Sequence, residues 1–192
     1  TITPDEIHEE ILSKYQCIYI EGYLLVNEPL VRSTMEKAKK LGLKVALDLS
    51  NFNIVNAFKG MLEDIIPKYV DILFSNESEA EAFTGQKAAE AVHTLSELVE
   101  VSLVTLGKEG ALIGSHGQFY SVPAEGGKPV DTTGAGDNFA AGFLYGQSIG
   151  ASLVQSARIG SMLAGYVIDV VGQEIPYDKW EQIKLKVKGI LA

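Results

Sequence analysis

EPLVRSTMEKAKKLGLKVALDL, residues 28–49, holds the reading that decides the fold. Leu30, Met35, Ala38 and Leu41 fall at mostly helical spacing, so Glu28–Leu41 is predicted as an amphipathic helix. Gly42 ends it. Lys44 to Leu49 then reads as a strand. A helix handing over to a short apolar strand is the repeating unit of an α/β sheet, and the same alternation continues on both sides.

Toward the N-terminus, Cys17-Ile18-Tyr19-Ile20 is a continuous apolar run of the kind that forms a buried parallel strand. Thr3-Pro4-Asp5-Glu6 predicts a capped helix start, with the helix ending near Tyr15. Toward the C-terminus, Ile54–Ile66 reads as a helix closed by Pro67, and Ile72–Phe74 as a strand. Helices over Glu77–Phe83 and Ala88–Val99 precede a strand over Val101–Leu106. Ala111–Gly114 and Phe119–Val122, parted by His116-Gly117, read as an antiparallel excursion. Helices are predicted over Gly136–Ser148, Ser152–Val170 and Tyr177–Ile190. No repeat or composition shift marks a boundary, so residues 1–192 read as a single α/β domain. The fold class is a doubly wound, mostly parallel sheet flanked by helices, with ligands at the carboxyl ends of the strands.

Composition narrows the partners. The net charge of −9 argues against nucleic acid or an anionic membrane surface. The single cysteine, Cys17, excludes an intramolecular disulfide and fits a reducing compartment, so a cytoplasmic location is expected. No apolar run reaches the roughly 20 residues of a membrane span. His8, His93 and His116 form no cluster at metal-ligand spacing.

The chemistry concentrates in Asp131-Thr132-Thr133-Gly134-Ala135-Gly136-Asp137. Gly134, Ala135 and Gly136 are almost free of side chains and precede a strongly helical run. Several N–H donors then point one way at the positive end of a helix dipole, which makes an anion hole. Asp137, in the first turn, stands where a carboxylate can take a proton from an attacking hydroxyl. A capped helix would also carry Gly134, Gly136 and Asp137, but two threonines and a second aspartate exceed what a cap needs. A P-loop is absent, and Gly134 to Phe139 lacks the third glycine of the dinucleotide fingerprint, which argues against a dehydrogenase.

This run resembles the C-terminal signature of the ribokinase-like (PfkB) family of carbohydrate and nucleoside kinases. Asn76-Glu77-Ser78-Glu79 resembles that family's Asn-x-x-Glu motif, and Thr105 to Gly110 its nucleotide-binding strand and turn. Alone, the first pair would read as a helix cap with a solvated first-turn acid, and Gly107 and Gly110 as hairpin punctuation. The resemblance implies Asp137 as the base, with the amides of Gly134, Ala135 and Gly136 stabilising the transferred phosphoryl group. It implies ATP and Mg²⁺, with Glu79 acting on the metal through water and Asn76 near the phosphates. Thr105, Gly107 and Gly110 would line the nucleotide site, with Ser161 near the adenine. A monovalent cation, K⁺ being the candidate, would sit between Asp131, Thr133 and the carbonyls of Val167, Val170 and Gly172.

Family members are markedly longer at the N-terminus. The resemblance therefore implies the C-terminal portion of such a kinase, lacking the first strands and the β lid, and weak or inactive on its own. An exposed sheet edge would also favour a homodimer. Ile20 to Leu24 resembles the adenosine-kinase-like branch, so the expected acceptor is a small sugar or nucleoside. A nucleotide-binding fragment or pseudoenzyme without catalysis is the alternative.

Overall fold

The computed structural model describes residues 2–126 and 129–192. Strands β1 (Cys17–Glu21), β2 (Lys44–Asp48), β3 (Ile72–Asn76), β4 (Val101–Thr105), β5 (Ala111–Ser115) and β6 (Gln118–Val122) hydrogen-bond in that order in one six-stranded sheet. β1, β2 and β3 are parallel, in a register that sets Glu21 opposite Asp48 and Asp48 opposite Phe74. β5 and β6 are joined through His116 and Gly117, both at positive φ (48° and 74°), as a tight hairpin requires. The helices are α1 (Glu9–Leu12), α2 (Glu28–Lys40), α3 (Phe52–Ala57), α4 (Lys59–Tyr69), α5 (Glu77–Thr84), α6 (Ala88–Ser96), α7 (Ala135–Ser148), α8 (Leu153–Ile168) and α9 (Trp180–Leu191). The sheet is mixed and flanked by helices, the α/β class expected.

Two compact units emerge, one of residues 1–104 with 114–119, the other of residues 105–113 with 120–192. In the first, Val45, Ala46 and Leu47 of β2 and Leu73 of β3 are wholly buried, as are Met35 and Ala38 of α2 and Leu62, Ile65 and Ile66 of α4. Strands buried on both faces explain the continuous apolar runs. In the second, Ile159, Met162 and Val167 of α8 form a core with Ile175, Ile183 and Ile190. α7 lies close against α8: a Cβ on Gly142 would come within 2.7 Å of Gly160 Cα, and one on Gly146 within 2.5 Å of Ser156 Oγ. That close packing sets where the start of α7 lies within its unit.

Three boundaries depart from expectation. The helix predicted from Pro4 to Tyr15 is a 3₁₀ turn at Pro4–Glu6 and the short α1, parted at Ile7 and His8. The Lys37 ammonium takes the Pro4 and Ile7 carbonyls at 2.6 and 2.9 Å, acceptors that a continuous helix would keep for itself. The helix predicted over Ile54–Ile66 divides at Phe58 into α3 and α4, and Pro67 lies inside α4 rather than closing it. Pro67 sits in the last turn, where one missing N–H is tolerated, and the Val70 N–H closes onto Ile66 O at 3.0 Å. The C-terminal helix opens with a 3₁₀ turn at Tyr177–Lys179.

Candidate functional site

In the second unit, Gly134 caps α7 at φ 78°, a left-handed conformation suited to glycine. Its carbonyl accepts the backbone N–H of Asn138 at 3.0 Å and the Asn138 side-chain amide at 2.9 Å. The Ala135 N–H is spent on Thr132 O at 3.2 Å, closing the turn. The Ala135 amide, expected to be open, is thus already engaged within the turn. The N–H groups of Gly136 and Asp137, which follow, have no backbone acceptor among the described residues. Among the described residues, nothing beyond its own helix backbone and chain neighbours lies within 4 Å of where a Gly136 Cβ would stand. The Asp137 side chain is exposed. The start of α7 is thus a bare, polarised donor group with a carboxylate in its first turn.

The preceding residues are tied down. Asp131 Oδ1 accepts the Thr133 N–H at 2.9 Å and the Thr133 hydroxyl at 2.7 Å, while Oδ2 accepts the Gly172 N–H at 3.0 Å. The Thr133 hydroxyl, the Thr133 N–H and the Gly172 N–H, in that order, hold the Asp131 carboxyl below the usual carboxylate range. The Val130 N–H reaches Ile168 O at 2.7 Å, anchoring the segment to the end of α8. Asp131, Thr133 and Gly172 are therefore brought together. The Val167 carbonyl instead accepts the Val170 N–H at 3.3 Å.

A cavity of about 400 Å³ opens in the same unit, and Thr105, Gly107, Gly110, Ala135, Gly136 and Ser161 all line it. The sequence reading missed Glu125, Gly126, Phe139, Gly165 and Ile168, which line it as well. Gly110, at φ 101° and ψ −130°, has a backbone conformation that L side chains rarely adopt. Its carbonyl takes the Leu106 N–H at 2.8 Å, folding the turn after β4. Ser161 is buried, and its hydroxyl is engaged with the backbone of Pro123 and Glu125.

In the first unit, Asn76 ends β3 and caps α5. Its Oδ1 accepts the Glu79 N–H at 3.0 Å, while Glu79 accepts the Asn76 N–H at 2.8 Å and its side-chain amide at 2.6 Å. This is a reciprocal capping box. Glu79 is only 4% exposed, so the picture of a solvated first-turn acid does not hold. Burial raises its carboxyl above the ordinary value, against the Asn76 hydrogen bonds.

A second acidic group lies at the carboxyl ends of β1 and β2. Asp48 accepts the Ser50 N–H at 2.7 Å and the Tyr19 hydroxyl at 3.2 Å; the Ser50 hydroxyl donates to Glu21 at 3.0 Å and accepts the Gly22 N–H at 2.7 Å. Ser50 adopts φ 62° to do so. Burial first, then the charges of Glu79 and Glu21, push the Asp48 carboxyl up to about 7. One sequence signal pointed here: each apolar strand ends on a polar residue, Glu21, Asp48 or Asn76, and that end is where open α/β sheets bind ligands. Among the described residues no group of three or more His, Cys, Asp or Glu is arranged to hold a metal ion, and no helix is long and apolar enough to cross a membrane.

Known kinases resemble the chain in sequence and fold. The chain is 31% identical over 194 residues to adenosine kinase of Saccharomyces cerevisiae, covering 92% of this chain and 57% of that protein. It is 30% identical over 182 residues to an uncharacterised sugar kinase of Archaeoglobus fulgidus, covering 90% of this chain and 68% of the relative. The crystal structure of adenosine kinase from Sinorhizobium meliloti superposes with a TM-score of 0.90 at 28% identity, over 96% of this chain and 58% of that one. The chain thus spans somewhat more than half the length of both adenosine kinases. The profile of the pfkB family carbohydrate kinases matches residues 1–180, and with the capped α7, the Asn76–Glu79 box and the Thr105–Gly110 turn in place, the chain belongs to that family.

Proposed function

We propose that the chain is the phosphate-handling portion of an ATP-dependent kinase that phosphorylates a hydroxymethyl group of a sugar or nucleoside, with a nucleoside acceptor of the adenosine-kinase type favoured. The observation that carries this is the start of α7. Gly136 lines the same cavity as the Thr105–Gly110 turn, its N–H has no described backbone acceptor, and the next residue is the exposed Asp137. Phosphoryl transfer needs little covalent help from the protein beyond positioning and charge stabilisation. In the reaction Asp137 takes the proton of the acceptor hydroxyl as its oxygen attacks the γ-phosphorus. The bond from that phosphorus to the bridging oxygen breaks, and ADP leaves. The Gly136 and Asp137 amides stabilise charge on the phosphoryl oxygens in transit. The similarity to two adenosine kinases supports the nucleoside acceptor.

The donor set fits a metal carried mainly by phosphates. Mg²⁺ commonly takes one or two carboxylates plus substrate oxygens, and when bound it neutralises charge on the phosphates. Both Glu79 oxygens already accept hydrogen bonds from Asn76, which suits a role through water rather than direct ligation. Asp131, held anionic, with Thr133 and Gly172 is the proposed surrounding of a monovalent cation.

An assay of the whole native gene product with ATP–Mg²⁺ and adenosine, ribose or fructose tests the reading. Transfer to adenosine above the two sugars is the expected result. ATP binding without transfer to any acceptor would favour the non-catalytic alternative. Absence of ATP binding would overturn the proposal.

A further inference from the structure

The stretch Val122 to Gly126, which leaves the end of β6, runs along the cavity, and Ala124, Glu125 and Gly126 line it. Two glycines flank the stretch too closely for any side chain. A Cβ on Gly110 would lie 1.9 Å from the Val122 carbonyl oxygen and 2.8 Å from the Ala124 nitrogen. A Cβ on Gly165, in α8, would lie 1.8 Å from the Glu125 carbonyl oxygen. Approaches this close need something to hold the backbone against α8. Ser161, one helical turn before Gly165 on the same face, does so. Ser161 is 6% exposed, and its hydroxyl donates to Pro123 O at 2.9 Å and accepts the Glu125 N–H at 2.9 Å. One hydroxyl therefore satisfies two backbone groups of the stretch. The Arg158–Glu125 pair, at 3.7 Å and partly exposed, adds little.

With its hydrogen spent on Pro123, Ser161 has no donor left for a ligand. We propose that Ser161 is a positioning residue: it latches residues 122–126 onto α8, Gly110 and Gly165 giving the room, and so sets the wall against which the nucleotide's base and sugar pack. This rests on the reading of the cavity as the nucleotide site. Ala124, Gly126, Ala164 and Gly165 give that wall a small, apolar lining suited to a flat heterocycle, whereas the anion-binding donors belong to α7.

Titration calorimetry of ATP–Mg²⁺ with this chain tests it in the wild type, Ser161→Ala, Ser161→Thr and Gly165→Ala, with thermal melting in parallel. Ser161→Ala frees two backbone groups and should weaken ATP binding about tenfold. Ser161→Thr keeps the hydroxyl and should stay within about threefold of wild type. Gly165→Ala keeps the latch but drives a methyl into Glu125 O, and should weaken binding at least as much as Ser161→Ala. Wild-type affinity in folded Ser161→Ala, or an equal loss in Ser161→Thr, would overturn the latch. Should Ser161→Ala fail to fold, wild-type affinity in Gly165→Ala would overturn it instead. Failure of the wild type itself to bind ATP would overturn the nucleotide reading along with the latch; wild-type binding indifferent to all three variants would overturn the latch alone.

Discussion

Glu79 and Asp48 of the first unit and Asp137 of the second are held in opposite ways. In the first, Glu79 is buried and both its oxygens are occupied by Asn76, while Asp48 is enclosed with Ser50 and Tyr19 and leans toward its protonated form. In the second, Asp137 is exposed and the amide beside it, Gly136, has no described backbone partner. Buried polar groups are costly unless paired, so the first set is satisfied internally and shapes the ends of the strands. The second set is left to water, which a phosphate oxygen or an acceptor hydroxyl can displace. Carboxylates of one chemical type are thus enclosed or left open by their surroundings alone, and the open Asp137 is the one proposed here as the reactive group.

The contrast can be broken by substitution. The largest expected effect is that of Asp137→Asn in the native gene product. Removal of a general base should lower kcat roughly 100- to 10,000-fold while ATP affinity stays near wild type. A variant with undiminished kcat would remove Asp137 from the reactive set. Next comes Asp48→Asn. The folded carboxyl titrates near 7 against 3.8 for the unperturbed group, so the native state holds the proton more tightly than the unfolded chain. Asp48 therefore costs the fold nothing at low pH, and its penalty grows as pH rises from about 4 to about 7, then stays level. The variant should melt on the order of 5 °C higher than wild type at pH 8, with little difference at pH 4. Equal melting shifts at both pH values would show that Asp48 is not penalised by burial. The smallest effect is that of Gly136→Ala. A methyl has room there, and replacing a helical glycine should stabilise the fold by about 0.5–1 kcal/mol. The same methyl narrows the approach to the amides and should weaken ATP binding. Stabilisation without any loss of ATP affinity would sever Gly136 from the anion site.

Much of this was legible in the sequence wherever the cause is local. The helix over residues 28–40, its left-handed end at Gly42 and the strand beyond it depend on neighbouring residues only. The glycine-flanked helix start was legible for the same reason, since Gly134 and Gly136 lie on either side of the first residue of α7. What escaped depends on partners distant along the chain. The Glu21–Ser50–Asp48 group exists because parallel pairing sets Glu21 beside Asp48, a register that no single strand reveals. The Ser161 hydroxyl meets Pro123 and Glu125, 38 and 36 residues away. The break after Pro4–Glu6 is linked to Lys37, whose ammonium reaches back to the Pro4 and Ile7 carbonyls. At Ala135 a finer point was hidden: its small side chain suggested an open amide, yet turn closure onto Thr132 engages that N–H.

Whether phosphate binds at the start of α7 is read from the backbone amide resonances of the 20.7 kDa chain, followed by NMR during titration with ATP–Mg²⁺. The largest shifts are expected at Gly136 and Asp137, smaller ones at Gly110 and Gly126 along the cavity, and little at Ala135, whose N–H is already bonded. Saturable binding that leaves Gly136 and Asp137 unmoved would contradict phosphate binding at the start of α7.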